Sequence, residues 1–201
     1  MSSRDLLIRA FHLSVVCVGA GVLVGGALVL SASVRADRGV TVNLVSNGGF
    51  ETPRMSQTAT WETVSLGSRM GAWKVSAGSV DLIDKDYWKP AGGIQSLDLS
   101  GGEAGTIYQN IKTKPGARYR LTFAFTTNID GGPARKDLRV SFGTVSKVFH
   151  MTQTTTSHTE IRWHTVSHVF TSTGPVSRLS FASLTPTAYG PVIDNVTVTR
   201  I

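Results

Sequence analysis

Beyond residue 36, apolar side chains fall on alternate positions in run after run. Tyr119, Leu121, Phe123 and Phe125 share one side of an extended segment, as do Leu138, Val140 and Phe142, and Leu179 with Phe181. Val166 and Phe170 share a side with His164 and His168. Shorter β-prone runs cover 79–83, 94–99 and 106–111. Between the runs stand turn formers: Gly48-Gly49, Gly92-Gly93, Gly101-Gly102, Pro115-Gly116, Gly131-Gly132-Pro133 and Gly174-Pro175. No segment in this part of the chain keeps a helical period. Many short strands at such spacing predict an all-β fold, a β-sandwich or jelly roll.

The alternation changes character at both ends. Residues 10–30 are almost wholly apolar, follow Arg4 and Arg9, and lead into S-A-S-V-R-A at 31–36. Val34 and Ala36 suit the small-residue rule, which predicts a signal peptide over 1–36, a short linker over 37–41 and one domain over 42–201. The run also has the length of a bilayer span, so an uncleaved anchor is the alternative. Cleavage would leave no stable membrane insertion and a secreted, extracellular product. Cys17 lies inside the apolar run behind Val16, which does not fit a lipidation site, and no cysteine follows it. The domain therefore has no disulfide.

The last run, 189–198, reads Y-G-P-V-I-D-N-V-T-V. Strict alternation sets Asp194 on one side with Val192, Val196 and Val198, facing the core if they do. A buried carboxylate must be protonated, hydrogen-bonded or bound to a cation. Calcium fits as an oxygen-seeking ion, with Glu51 of N-L-V-S-N-G-G-F-E (43–51) as a second ligand if the opening and closing strands are neighbours. A turn-capping role for Asp194, or pairing with Arg200, is the other option.

Charge modifies this picture little. The chain carries +7, and loss of Arg4, Arg9, Arg35 and Asp5 with the leader lowers this to +5. Arg135, Lys136 and Arg139 form the densest basic group. A solvated surface accounts for such scatter, and mild attraction to acidic envelope polymers is the sharper reading. No long basic run points to nucleic acid.

Five strings together resemble a known family: N-L-V-S-N-G-G-F-E, G-S-V-D-L-I (78–83), Q-S-L-D-L-S-G (95–101), G-T-I-Y-Q-N-I (105–111) and Y-G-P-V-I-D-N-V. In this order, over 42–200, they are similar to the choice-of-anchor C and domain-of-unknown-function 642 families. The resemblance implies a galactose-binding-like sandwich, akin to jelly-roll carbohydrate-binding modules, in exported cell-wall and cell-surface proteins. Its plant branch is associated with wall polysaccharide, notably pectin, and no catalytic activity is known for it. It also implies a structural calcium (Ca2+) at positions matching Glu51 and Asp194. No sorting tail follows Ile201, so C-terminal wall anchoring is not expected.

Sugar binding would use an aromatic ring against a pyranose face, with amides and carboxylates on the hydroxyls. Among Trp61, Trp73, Tyr87, Trp88, Tyr108, Trp163 and Tyr189, the pair Tyr87-Trp88 lies in the loop-like D-K-D-Y-W-K-P-A-G-G. Trp88 is the expected platform, with Tyr87 beside it and Asp84, Asp86 and Gln95 as hydroxyl partners. Trp73, in G-A-W-K-V, is expected in the core. His164 and His168 would stand about 13 Å apart along a strand and cannot share one ion. The Asn195-Val196-Thr197 sequon falls in a presumed strand and is read as chance.

There is no G-x-S-x-G, no H-E-x-x-H and no cysteine nucleophile after the leader. The expectation is a secreted, non-catalytic carbohydrate-binding or wall-associated module whose partner is a cell-wall or surface polysaccharide. An adhesion domain for an envelope protein, with the polar tract 152–159 beside Trp163 as its contact, is the alternative. A glycosidase or esterase ranks third.

Overall fold

The computed structural model describes residues 41–201. The expected signal peptide and nearly all of the linker lie outside the described residues. Twelve strands follow in chain order: β1 (Trp61–Ser65), β2 (Arg69–Met70), β3 (Trp73–Ala77), β4 (Ser79–Asp84), β5 (Gln95–Asp98), β6 (Thr106–Lys112), β7 (Arg118–Thr127), β8 (Arg135–Phe142), β9 (Val145–Thr152), β10 (His164–Thr171), β11 (Val176–Ser183) and β12 (Pro191–Arg200). They form two antiparallel six-stranded sheets. The front sheet runs β1-β4-β5-β12-β7-β10 and the back sheet β2-β3-β6-β11-β8-β9. From β5 onward the strands interleave as 5-12-7-10 and 6-11-8-9, the path of a jelly roll.

The alternating apolar positions meet between the sheets. Phe123, Phe142, Leu179, Phe181 and Trp73 all enter one core. Phe181 stands edge-on to Trp73 and Phe123, with centroids 5.9 and 5.3 Å apart, the geometry ring quadrupoles prefer. The Trp73 indole N–H donates to the Asn47 carbonyl at 2.9 Å, so the buried ring has its polar edge satisfied.

Two expectations about the strands need correction. The opening segment 43–51 is not a strand; it is an irregular strap along β12. Leu44 N–H donates to Val198 O (2.8 Å), and Val196 N–H to Gly48 O (2.8 Å). Asn47 and Phe50 have positive φ (54° and 58°), which interrupts any ladder. A Cβ on Gly48 would lie 2.0 Å from Val196 O, so only glycine lets the strap come this close.

The last strand also breaks its own parity. Its register against β7 shifts between Asp194 and Thr197, with Asn195 at φ 50°. Ile193, Val196 and Val198 therefore reach the main core, while Val192 packs on the opposite side with Ile83 and Trp88. Asp194 is fully buried, but on the outer face of the front sheet rather than between the sheets.

That outer face is itself covered. All of β5 and the first four residues of β12 are buried on both sides. The cover is the loop 85–94, which folds back over the sheet and lays Trp88 on Ile83 and Val192.

Candidate functional site

A cleft of about 410 Å³ opens on the front sheet where the loop cover ends. Five separate stretches build it, one of them the Gly101-Gly102 turn. β1 contributes Trp61 and Thr63, and β4 contributes Asp81 and Ile83, which face the same way because Trp61 pairs with Ile83 and Thr63 with Asp81. The loop after β4 brings Tyr87. The loops after β7 and before β12 bring Asn128, Asp130 and Tyr189.

Three rings wall the cleft. Trp61 is 54% exposed and Tyr189 39%, high for side chains of this size. Tyr87 meets Trp61 edge-on at 5.7 Å, and its hydroxyl donates to Asp130 Oδ2 at 2.7 Å. Burial and that bond push the Tyr87 phenol up to about 12, so it remains a donor. His158 bonds the other oxygen of Asp130 and packs against Tyr87 with centroids 4.6 Å apart and the rings tilted by 43°. The Tyr189 ring lies so close to Gly131 that a Cβ there would meet it at 2.1 Å. Both tyrosines are thus seated by the backbone or by a carboxylate.

The floor is acidic. Asp81 and Asp98 are direct cross-strand partners. Asp81 accepts from the Thr63 hydroxyl at 2.6 Å; burial raises its carboxyl and this bond lowers it. Asp98, completely buried below, accepts from Asn128 Nδ2 (2.7 Å), Ser100 N (2.8 Å) and Gly190 N (3.2 Å). Burial still pushes it up to about 7, and the Asp81 charge adds to the rise. Lys136 is buried from the back sheet and donates to Gly131 O at 2.7 Å; burial lowers its ammonium pKa and the charge on Asp98 raises it.

Of the five residues expected from sequence, Tyr87 alone lines this cleft. Trp88 is 2% exposed and donates to Ser96 Oγ at 3.0 Å. It is the anchor of the loop and offers no face to a ligand, because the loop folds inward over apolar residues. Gln95 is fully buried: its oxygen accepts from Met55 N (2.8 Å) and its amide donates to Phe50 O and Pro53 O. It binds the strap in place of a sugar hydroxyl. Asp84 caps the N–H of Asp86 at 2.9 Å, and Asp86 pairs with Lys85 in solvent. Both acids line a separate shallow hollow beside Arg54 and Gln57.

Sequence reasoning named Trp61 and Tyr189 as aromatic candidates without choosing them, and missed Asp81, Asn128 and Asp130. Asp81 carried a usable signal: it is the polar member of V-D-L-I, hence outward on a strand whose Val80 and Leu82 are core.

Glu51 and Asp194 converge on one loop. Glu51 Oε1 accepts from Ile94 N (2.9 Å) and Gln95 N (3.2 Å). Asp194 accepts from Gly92 N (2.9 Å) and Asn195 N (2.6 Å). Gly93 has φ +60°, and a Cβ there would meet Glu51 Oε1 at 2.0 Å. Burial pushes Asp194 up to about 7, with the Glu51 charge adding to the rise. The two acids thus clasp the root of the cover loop through backbone amides. Among the described residues, no group of three or more His, Cys, Asp or Glu side chains could hold a metal.

Residues 43–199 match the family described as "Protein of unknown function (DUF642)". The chain belongs to the DUF642 family. Halomucin of Haloquadratum walsbyi is 33% identical over 162 residues, which is 78% of this DUF642 chain and 2% of halomucin. This chain therefore spans a very small part of that relative. Among solved structures, the arabinose-bound MgGH51 α-L-arabinofuranosidase aligns with a TM-score of 0.50 at 13% identity, over 82% of this chain and 27% of that one. At that identity the likeness is one of fold. TmCBM61 in complex with beta-1,4-galactotriose aligns over 80% of this chain and all of that one, with a TM-score of 0.46 and 17% identity.

Proposed function

We propose that this DUF642 protein is a secreted, non-catalytic carbohydrate-binding module whose cleft on the front sheet receives a cell-wall or surface polysaccharide. The observation that carries this reading is the cleft itself. Sugars present apolar C–H faces ringed by hydroxyls. Exposed rings of Trp61 and Tyr189 match the faces, and Thr63, Asn128, Asp130 and the Tyr87 hydroxyl match the rim. The rings are partly positioned before any ligand arrives, which lowers the ordering cost of binding. Affinity is modest, because sugar hydroxyls exchange water hydrogen bonds for similar ones. Export is carried by the leader-like residues 1–36 alone.

Isothermal titration against a panel of wall oligosaccharides tests the reading. Trp61→Ala should weaken binding at least about tenfold, roughly 1.4 kcal/mol, while the exposed position leaves the fold intact. Wild-type protein that binds no saccharide overturns it.

A structural calcium at Glu51 and Asp194 belongs to the same proposal. Two carboxylates held at one loop root, with Asp194 buried and raised by its neighbour's charge, would be relieved by a divalent ion. The remaining ligands would be backbone carbonyls and the Asn195 side chain, which suits calcium's preference for oxygen. Against this, three of the four carboxylate oxygens already accept amide bonds. EDTA should lower the melting temperature by several degrees and added calcium should restore it; an unchanged melt means that the amide clasp suffices.

A further inference from the structure

We propose that the cleft prefers a glycan bearing a protonated amine to a neutral or acidic sugar of equal length, with Asp81 receiving the ammonium and the rings of Trp61, Tyr87 and Tyr189 framing it. This rests on the reading of the cleft as a sugar site. The floor is a like-charge pair, since Asp81 and Asp98 face each other across β4 and β5. Such pairs are unfavourable on adjacent strands unless something compensates them. Asp98 has compensation: three donors and the nearby Lys136. Asp81 has one, the Thr63 hydroxyl on Oδ1, and its Oδ2 accepts no hydrogen bond among the described residues.

The cleft lining contains no lysine or arginine. His158 does not line it; it is bonded to Asp130, whose other oxygen takes the Tyr87 hydroxyl. Asp81 is therefore the carboxylate left for a ligand. A ring face attracts cations through its quadrupole, so a cleft that three rings and a carboxylate line together suits an organic cation. A metal ion is a poorer match, because rings supply no ligands and no third acidic or histidine side chain joins the pair. Burial raises the Asp81 carboxyl, and an ammonium beside it would reverse that shift. A sugar carboxylate would instead meet the like charge of Asp81.

The test uses the whole protein at pH 6, where a sugar amine is largely charged. Titrations compare three tetrasaccharides: N-acetylated chitotetraose, its fully de-N-acetylated form, and tetragalacturonate. The de-N-acetylated probe should bind at least about tenfold more tightly than the acetylated one, and the uronate should bind most weakly. Raising salt from about 0.05 to 0.5 M should erase most of the advantage on wild-type protein, whatever the variants do. Asp81→Asn should level amine and N-acetyl probes, and Trp61→Ala should weaken both. Equal, Trp61-dependent affinities for amine and N-acetyl forms overturn the amine preference and leave the sugar site standing. Uronate preference, amine binding indifferent to both variants, or displacement of the amine by millimolar calcium also overturns it. Failure of every saccharide removes the sugar reading and this inference together.

Discussion

The outer faces of the two sheets make opposite use of charge. On the front face Asp81, Asp98 and Asp194 lie among the covered strands, each fixed by hydroxyl, amide or backbone N–H donors. Among the described strand residues of this sheet, the outward cations are Arg118 and Arg120, towards the far end of β7. The back face presents Arg69, Lys74, Lys112, Arg139 and Arg178, among short polar residues such as Ser141 and Ser180. Its one acid within the strands, Asp137, is paired with Arg135 at 2.8 Å. Arg178 stacks 3.9 Å above the Tyr108 ring, so even the back face's tyrosine is already occupied.

The difference comes from cover rather than from composition. The loop 85–94 folds over the outer face of the front sheet and helps to desolvate Asp194 at its root, and a desolvated charge must be held in a defined place. Nothing among the described residues crosses the back face, so its cations remain hydrated. The net charge of +7 advertises the back face, while the built site lies on the front.

The largest effect that would break this contrast is at Asp98. Asp98→Ala leaves the Asn128 amide and the Ser100 and Gly190 N–H groups without their acceptor, and should cost about 3–5 kcal/mol in urea unfolding or prevent folding. A loss below about 1 kcal/mol would mean that the front carboxylates are as loosely held as surface charges.

A smaller effect is the pH dependence. Asp98 and Asp194 stand at about 7 when folded, against an ordinary 3.8. The folded chain thus binds these protons more tightly than the unfolded one. Their contribution to stability is greatest below about pH 4, declines as pH rises from 4 to 7, and then levels. Urea midpoints without calcium should follow that course, and calcium should flatten the share due to Asp194. A midpoint that climbs from pH 4 to 7 would show that the amide bonds outweigh burial at both acids.

The smallest effect belongs to the back face. Lys74→Ala and Arg139→Ala should each change stability by no more than about 0.5 kcal/mol and leave glycan binding as it was. A tenfold loss of glycan affinity in either variant would move the site to the other sheet.

Much of the frame was legible before any coordinates. One of the five family strings, 95–101, turns out to be a structural fitting. Gln95 ties down the strap, Ser96 receives the Trp88 indole, Leu97 and Leu99 are core, and Asp98 anchors the Asn128 and Gly190 turns. A motif of this kind marks the fold more than the ligand. The cleft was only half legible, because its rings and acids come from four stretches that no single motif spans.

Alternation of apolar residues with glycine and proline punctuation was enough to set an all-β sandwich. Those signals are local, and strand periodicity with turn chemistry dictates them residue by residue. Which way Asp194 points was decided by a bulge at Asn195, since one extra residue reverses every side chain after it. Whether Trp88 meets solvent was decided by the path of its loop over Ile83 and Val192. The cleft too belongs to tertiary structure: Trp61, Asp81, Asp130 and Tyr189 are far apart in the chain, and only closure of the front sheet brings them together.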